Sequence, residues 1–225
     1  MDHPIWEALH SWHAGVAEAN PLACRFPLAF TSLGALHAPG AEAYAALAEL
    51  QRPGEATALI AAAWAPPPPG WEVRYSASLP QMTHLGPLPA APVFDPADEL
   101  VELGAGDSAE MQALAERTRP GPFGPRTHEL GRYIGVRRER RLLAMAGERL
   151  RLPGYTEISA VCTDAAAAGR GLASGLVSIL VAAIRGRGET PFLHVRADNH
   201  RAIGVYRRLG FTVRRELHVD VVART

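Results

Sequence analysis

A run of β-forming residues, Tyr155 to Thr163, leads into a glycine turn, Ala165-Ala166-Ala167-Ala168-Gly169-Arg170-Gly171, and then into an apolar helix expected over residues 169–185. This succession commits the stretch to an α/β arrangement and aims the backbone N–H groups of the turn and of the helix N-terminus at one spot, where anions bind. It is not the dinucleotide fingerprint, because Ser174 stands where a third glycine or alanine belongs, and it is not a phosphate loop, because no Gly-Lys-Ser/Thr follows. On its own, Gly169-x-Gly171 also fits a helix start that merely needs small residues. The apolar stretch Leu176 to Ile184 spans nine residues, well short of the ~20 a helix needs to cross a bilayer, so an integral membrane protein is not expected.

The 225 residues carry no formal net charge, and every basic residue is arginine, with no lysine anywhere. Lysine-dependent chemistry, a Schiff base or a phosphate-loop lysine, is thereby excluded. Charge is also unevenly placed. Residues 1–95 hold three Arg against eight Asp and Glu, and residues 96–225 hold 20 Arg against 15 acids. A polyanionic small ligand is expected on the second part, although a solvated surface explains the same asymmetry. Cys24 and Cys162 form neither a disulfide framework nor a metal cluster and are expected as inert buried thiols, with no metal site. The N-terminal MDHPIWEALH lacks the basic and apolar blocks of a secretory signal, which points to a cytoplasmic protein.

Helical spacing predicts a first helix entered through Pro4 and ending near Asn20, then a loop, a second helix over Ala41–Leu50, a buried strand over Thr57–Trp64 and a partner strand over Trp71–Leu79. The prolines at 80, 87, 89, 92 and 96 read as a boundary. Two domains are expected: residues 1–95, a smaller α/β unit without a nameable role, and residues 96–225. In the second, a strand at Leu100–Leu103, a helix capped by Asp107 or Ser108 and running to Arg117, and a short helix capped by Thr127 precede three antiparallel strands, Tyr133–Arg138, Leu142–Leu150 and Tyr155–Thr163. After the apolar helix come a strand at Phe192–Ala197, a helix at Asn199–Leu209 and final strands at Phe211–Val213 and Leu217–Val222. No internal repeat is visible.

A second segment, Asn199-x-x-Ala202-x-x-x-Tyr206-x-x-x-Gly210-Phe211, follows the glycine turn at the right separation. Together the two segments resemble the GNAT superfamily of N-acetyltransferases, in particular the branch grouped with glycine acyltransferase, over roughly residues 97–225. The resemblance implies a mixed, mainly antiparallel central sheet flanked by helices, an α/β (α+β) fold, with acetyl-CoA as co-substrate. The backbone of Val161, Cys162 and Thr163 would bond pantetheine, and the amides of Ala168, Gly169, Arg170, Gly171, Leu172 and Ala173 would hold the pyrophosphate. Asn199 would contact the cofactor arm, and Tyr206 would stand near the sulfur as general acid for the departing thiolate. One departure is the alanine run 166–168, where family members usually place Arg or Gln.

Acyl transfer to an amine also needs a base, because an ammonium has no lone pair. Glu157, in the region where family members often place a catalytic glutamate, is the first candidate, and Glu148 on the preceding strand is the second, with acceptor binding as its other role. An ion-paired glutamate is the plain alternative for each. In the loop GPFGPRTHELG, Arg126 and His128 could recognise an acceptor carboxylate, or simply connect elements. His194, inside an apolar strand, reads as a core histidine. The expected activity is transfer of an acetyl group from acetyl-CoA to a primary amine by direct attack in a ternary complex, with a small-molecule or peptide acceptor, no nucleic acid and no membrane, and a homodimer left open. The rival readings are a non-catalytic acyl-CoA sensor and a nucleotide-binding oxidoreductase.

Overall fold

The computed structural model of the protein describes residues 1–62 and 65–225. Its strands join in one sheet of eleven among the described residues. The first part supplies β1 (Glu18–Ala19), β2 (Ala23–Arg25), β3 (Leu33–Leu36), β4 (Ala56–Ala61) and β5 (Trp71–His84), with helices α1 (Pro4–Leu9) and α2 (Ala41–Leu50). The second supplies β6 (Glu99–Leu103), α3 (Ser108–Thr118), β7 (Tyr133–Arg138), β8 (Arg141–Leu152), β9 (Tyr155–Thr163), α4 (Leu172–Gly186), β10 (Thr190–His194), α5 (His200–Arg208) and β11 (Phe211–Arg224). Across the sheet the order is β1-β2-β3-β4-β11-β5-β10-β9-β8-β7-β6, and only β3 with β4 and β9 with β10 run parallel.

The sheet therefore runs through the boundary expected at residue 95. β5 does not pair with β4, as adjacency in sequence suggests; β11 lies between them, and β5 also pairs β10. The first helix is shorter than its apolar spacing implies: α1 stops at Leu9, a 3₁₀ turn follows at Ala14–Val16, and β1 occupies the stretch read as helix end. The loop expected after it contains β2 and β3. The two final strands are one, β11, with a register shift between Val213 and Arg215 that mimics a break in the sequence pattern. Trp64, expected to end a strand, lies outside the described residues.

α4 buries Leu172, Leu176, Val177, Leu180, Val181 and Ile184 on one face of the sheet, against Ile134, Val136, Ala146 and Ile158. Each of the leucine, valine and isoleucine side chains contributes ~1.5–3 kcal/mol when taken out of water. On the opposite face, α3 places Met111, Leu114 and Ala115 against Tyr133, Leu142, Met145, Ala160 and Cys162. The alternation of Tyr133 and Ile134 between these two cores is the two-residue period of a strand buried on both faces.

Candidate active site

β9 and β10 pair only through Tyr155↔Thr190, Thr156↔Pro191 and Glu157↔Phe192. Beyond these rungs β10 stays with β5, where Val195 N–H donates to the Pro80 carbonyl, while β9 stays with β8. From Ile158 onward one edge of β9 is open. The divergence coincides with a bulge in β9: Ser159 opposes Gly147 and Cys162 opposes Met145, so Ala160 and Val161 face a single residue, and Ala160 takes φ +52°. The extra residue reverses the alternation. Ile158 and Val161 turn toward α4, and Ala160 and Cys162 turn toward α3.

β9 then delivers the chain to the glycine turn. Asp164 caps a 3₁₀ turn at Ala165–Ala167 by accepting from the Ala166 N–H at 3.0 Å, and it is anchored by Arg141 at 2.8 Å and Arg117 at 3.3 Å. The Ala166 N–H, reinforced by both arginines, holds the Asp164 carboxyl below its ordinary pKa. Gly169 and Gly171 follow with φ +82° and +79°, the left-handed region that costs other residues about 1–2 kcal/mol. Gly171 is the N-cap of α4. The N–H groups of residues 169–174 find no hydrogen-bond acceptor among the described residues; the next one, Gly175, donates to the Gly171 carbonyl. Such a row of free donors at a fifteen-residue helix fits a pyrophosphate. The Arg170 side chain bends back to Asp98, which also binds Arg138 at 2.8 Å, so its guanidinium secures the incoming linker. Phe94 of that linker packs on α4 at Gly175.

Tyr206 lies on the α4 side of the sheet, buried, with its ring 6.0 Å from that of Phe211. Burial, and then the nearby Cys162, push its phenol well above the usual range, so it stays protonated. Its hydroxyl has no partner among the described residues. Asn199 caps α5, its Oδ1 accepting from the Ala202 N–H at 3.1 Å. Cys162 is a buried thiol pushed up to about 11 by desolvation, and Cys24 is pushed to about 12 by the same cause. Neither is a nucleophile at neutral pH.

Opposite α4, the strand divergence is closed by a buried polar cluster that sequence reasoning resolved only in part. Arg149 donates to both oxygens of Glu157 at 2.9 Å, and His194 Nδ1 meets Glu157 Oε1 at 2.7 Å. Burial by itself would raise the Glu157 pKa; the Arg149 charge and the bonds from His194 and Arg149 reverse that and bring it to about 2. Gln81 approaches His194 Nε2 at 3.2 Å while its own Oε1 accepts from Arg214 at 2.8 Å, which identifies the Gln81 amide as the donor and His194 Nε2 as the acceptor. Tyr133 crosses β8 over Gly147, where any Cβ would lie 2.3 Å from its ring, and so points toward β9. Its hydroxyl is fully buried and has no partner among the described residues. Arg149, Gln81 and Tyr133 were not anticipated. The short turn at Pro153–Gly154 would set Leu150 opposite Glu157, and only the register shift in β8 between Glu148 and Arg151 brings Arg149 there.

The remaining candidates lie apart from this cluster. Glu148 accepts from Arg187 through both oxygens at 3.1 and 2.9 Å. Arg126 pairs with Glu129 at 2.7 Å on the surface and stacks over Phe30 at 4.3 Å. His128 is half-buried, its Nδ1 without a partner among the described residues. Among those residues no three His, Cys, Asp or Glu side chains gather as a metal site, and no helix is long and apolar enough to span a membrane.

Residues 133–219, from β7 through most of β11, match the family described as FR47-like protein. No curated protein matches the chain. Among solved structures, a GCN5-related N-acetyltransferase from Kribbella flavida shares the fold at 17% identity and a TM-score of 0.64, over 98% of this chain and 95% of its own. A GCN5-related N-acetyltransferase-like protein from Streptococcus suis 89/1591 does so at 12% and 0.61, over 96% and 92%. A much nearer relative is an acetyltransferase of the GNAT family from Novosphingobium aromaticivorans DSM 12444, with a TM-score of 0.89 over 100% of this chain and 98% of that one. At 37% identity to it from end to end, with the divergent strands and the glycine turn lying inside the FR47-like match, the chain belongs to the GNAT family of acetyltransferases.

Proposed function

We propose that the protein transfers an acetyl group from acetyl-CoA to a primary amine by direct attack in a ternary complex, and that within its family it sits in the branch grouped with glycine acyltransferase. The observation that carries the reading is the parting of β9 from β10 directly above a row of free amides at α4. An extended amide-bearing arm would add to the open edge of β9 at Val161–Thr163, while the amides of Gly169 to Ala173 would hold its phosphates; the Ala168 N–H, expected to join them, donates to the Ala165 carbonyl instead. Acetyl-CoA supplies the acetyl group as a thioester. The alanine run 166–168 adds no side-chain contact, but main-chain donors need none.

Glu157 and His194 are assigned to the proton on the amine. A carboxylate held near pKa 2 stays ionised and is a weak base, so its part is to accept the Nδ1–H of His194 and leave Nε2 as the basic nitrogen, whose lone pair takes the Gln81 amide at 3.2 Å at rest and exchanges it for the amine proton. As the amine nitrogen forms its bond to the acyl carbon, its proton passes to Nε2 and the carbon–sulfur bond breaks. The Tyr206 hydroxyl donates its proton to the departing thiolate and recovers one from solvent. Asn199 fixes the start of the helix that carries Tyr206. Glu148, Arg126 and His128 are assigned to acceptor binding at the rim. A non-catalytic acyl-CoA sensor is the second reading, favoured by the missing side-chain contacts at residues 166–168. A panel of amines offered with acetyl-CoA, read by release of free thiol, decides between them: turnover with at least one amine supports the enzyme, and tight acetyl-CoA binding without turnover on any amine supports the sensor.

A further inference from the structure

The strand order reads the same from both ends of its central eight strands. In the first half, β2 runs antiparallel to β3, α2 crosses over to a parallel β4, and the long β5 leaves to join β10. In the second, β8 runs antiparallel to β9, α4 crosses over to a parallel β10, and the long β11 leaves to join β4. β5 and β11 then pair with each other at the centre. Exchanging β2, β3, β4 and β5 for β8, β9, β10 and β11 returns the same sheet. The halves are two copies of one plan, each donating its last strand to the other, although no repeat survives in the sequence.

The correspondence extends to the parting of the parallel strands. β3 and β4 pair only at Leu33↔Ala58 and Gly34↔Leu59. Beyond that point a cavity of about 370 Å³ opens, bounded by Ala35 and Leu36 at the end of β3, the start of α2 at Gly40, and Ile60 at the end of β4. It occupies in the first half the position that the acyl-transfer cleft occupies in the second, and its size suits a small ligand.

Its chemistry differs. The turn into α2 reads His37-Ala38-Pro39-Gly40, with one glycine and a proline that lacks an N–H. Asp220 of β11 is the one carboxylate in the wall among the described residues, His3 and His218 also line it, no arginine does, and Glu42 sits just outside in the first turn of α2. The unbroken row of free amides that would hold a phosphate is missing here. Leu36, Leu59 and Ile60 offer an apolar lining, and Asp220, one oxygen of which accepts from Ser76 at 2.6 Å, supplies the carboxylate. Tyr44 adds its ring to the same wall. We propose that this cavity is a second ligand site, separate from the acyl-transfer cleft, that binds an apolar primary amine with its ammonium at Asp220 and its hydrocarbon body between the parted β3 and β4.

Calorimetry on the full chain with hexylamine, in the presence of saturating coenzyme A, tests this independently of the catalytic reading. The expected result is one hexylamine bound, hexanoate not bound, affinity reduced about tenfold in Asp220→Asn by loss of a charge-assisted bond, and binding lost in Leu36→Trp, which fills the space. Asp220 is only half-buried, so that variant keeps the fold if Leu36→Trp does not. Absence of hexylamine binding, equal binding of hexanoate, or hexylamine affinity unchanged in both variants would overturn the proposal.

Discussion

Glu157 and His194 bond at 2.7 Å across the point where β9 and β10 stop pairing, so a side-chain link takes over from the backbone ladder at the apex of the cleft. Arg149 makes the carboxylate a permanent charge, and Gln81 occupies the far ring nitrogen. The pair thereby fixes strand separation and imidazole tautomer with the same contact.

Stability should respond to acid through this pair. The Glu157 carboxyl titrates at about 2 when folded, against an ordinary value of 4.5. A depressed folded-state value gives stability that is full above about pH 4.5 and drains away as pH falls toward about 2. Glu157→Gln should lower stability at neutral pH and flatten the acid limb; denaturant unfolding from pH 7 to 2.5 measures both. Removing the partner instead, Arg149→Met, should cost about 3–5 kcal/mol at pH 7, because it strands a buried charge.

Tyr206→Phe keeps the ring and removes the proton donor. Turnover with the best amine should fall by about 10²-fold, the low end for a general acid because thiolate leaves readily. The dissociation constant for acetyl-CoA should stay within a few-fold. Turnover within about twofold of the parent would assign the proton to water and the ring to packing.

Gly171→Val should abolish acetyl-CoA binding in a folded protein. The position has φ +79° and open space around it, so the obstacle is backbone conformation and phosphate approach rather than a clash. Unchanged affinity in calorimetry would place the phosphates elsewhere.

Tyr133→Phe should stabilise the free protein. Its buried hydroxyl has no partner among the described residues, and an unmet buried polar group costs about 1–3 kcal/mol. A higher melting temperature is the expected reading, and a lower one would show that the hydroxyl is bonded.

A fragment of residues 96–225 should not fold. β10 and β11 would each lose β5, and with it the register from Phe211 to Arg224. Circular dichroism with amide exchange on the fragment checks this; a folded fragment that binds acetyl-CoA would show that the second half is autonomous.

The elements nearest the chemistry were legible because their signals are local. β9 follows its β-forming run from Tyr155 to Thr163, and Gly171 ends the turn before the apolar face of α4. β2 and β3 escaped because they are short and lie among Pro21, Pro27 and Gly34, and their pairing is decided by strands far away in sequence. The bulge at Ala160 has no signature, since an alanine at positive φ is imposed by the partner strand. Glu157 could be named from its place on β9, but its partner His194, held in turn by Gln81, meets it only after three separate strands converge.

The exchange of last strands also sets the timetable of the nascent chain. Ser76 waits for Asp220 and Ser78 for Glu216, partners 144 and 138 residues later. Until β11 leaves the ribosome, β4 and β5 present bare edges with no neighbour of their own half to cover them, the condition in which chains add to one another. Burial of the edges that β11 covers waits for that strand, so folding of the centre is a late event of high contact order and slow rate. The early half is therefore the part of the chain most exposed to edge-to-edge association while the later half is still being synthesised.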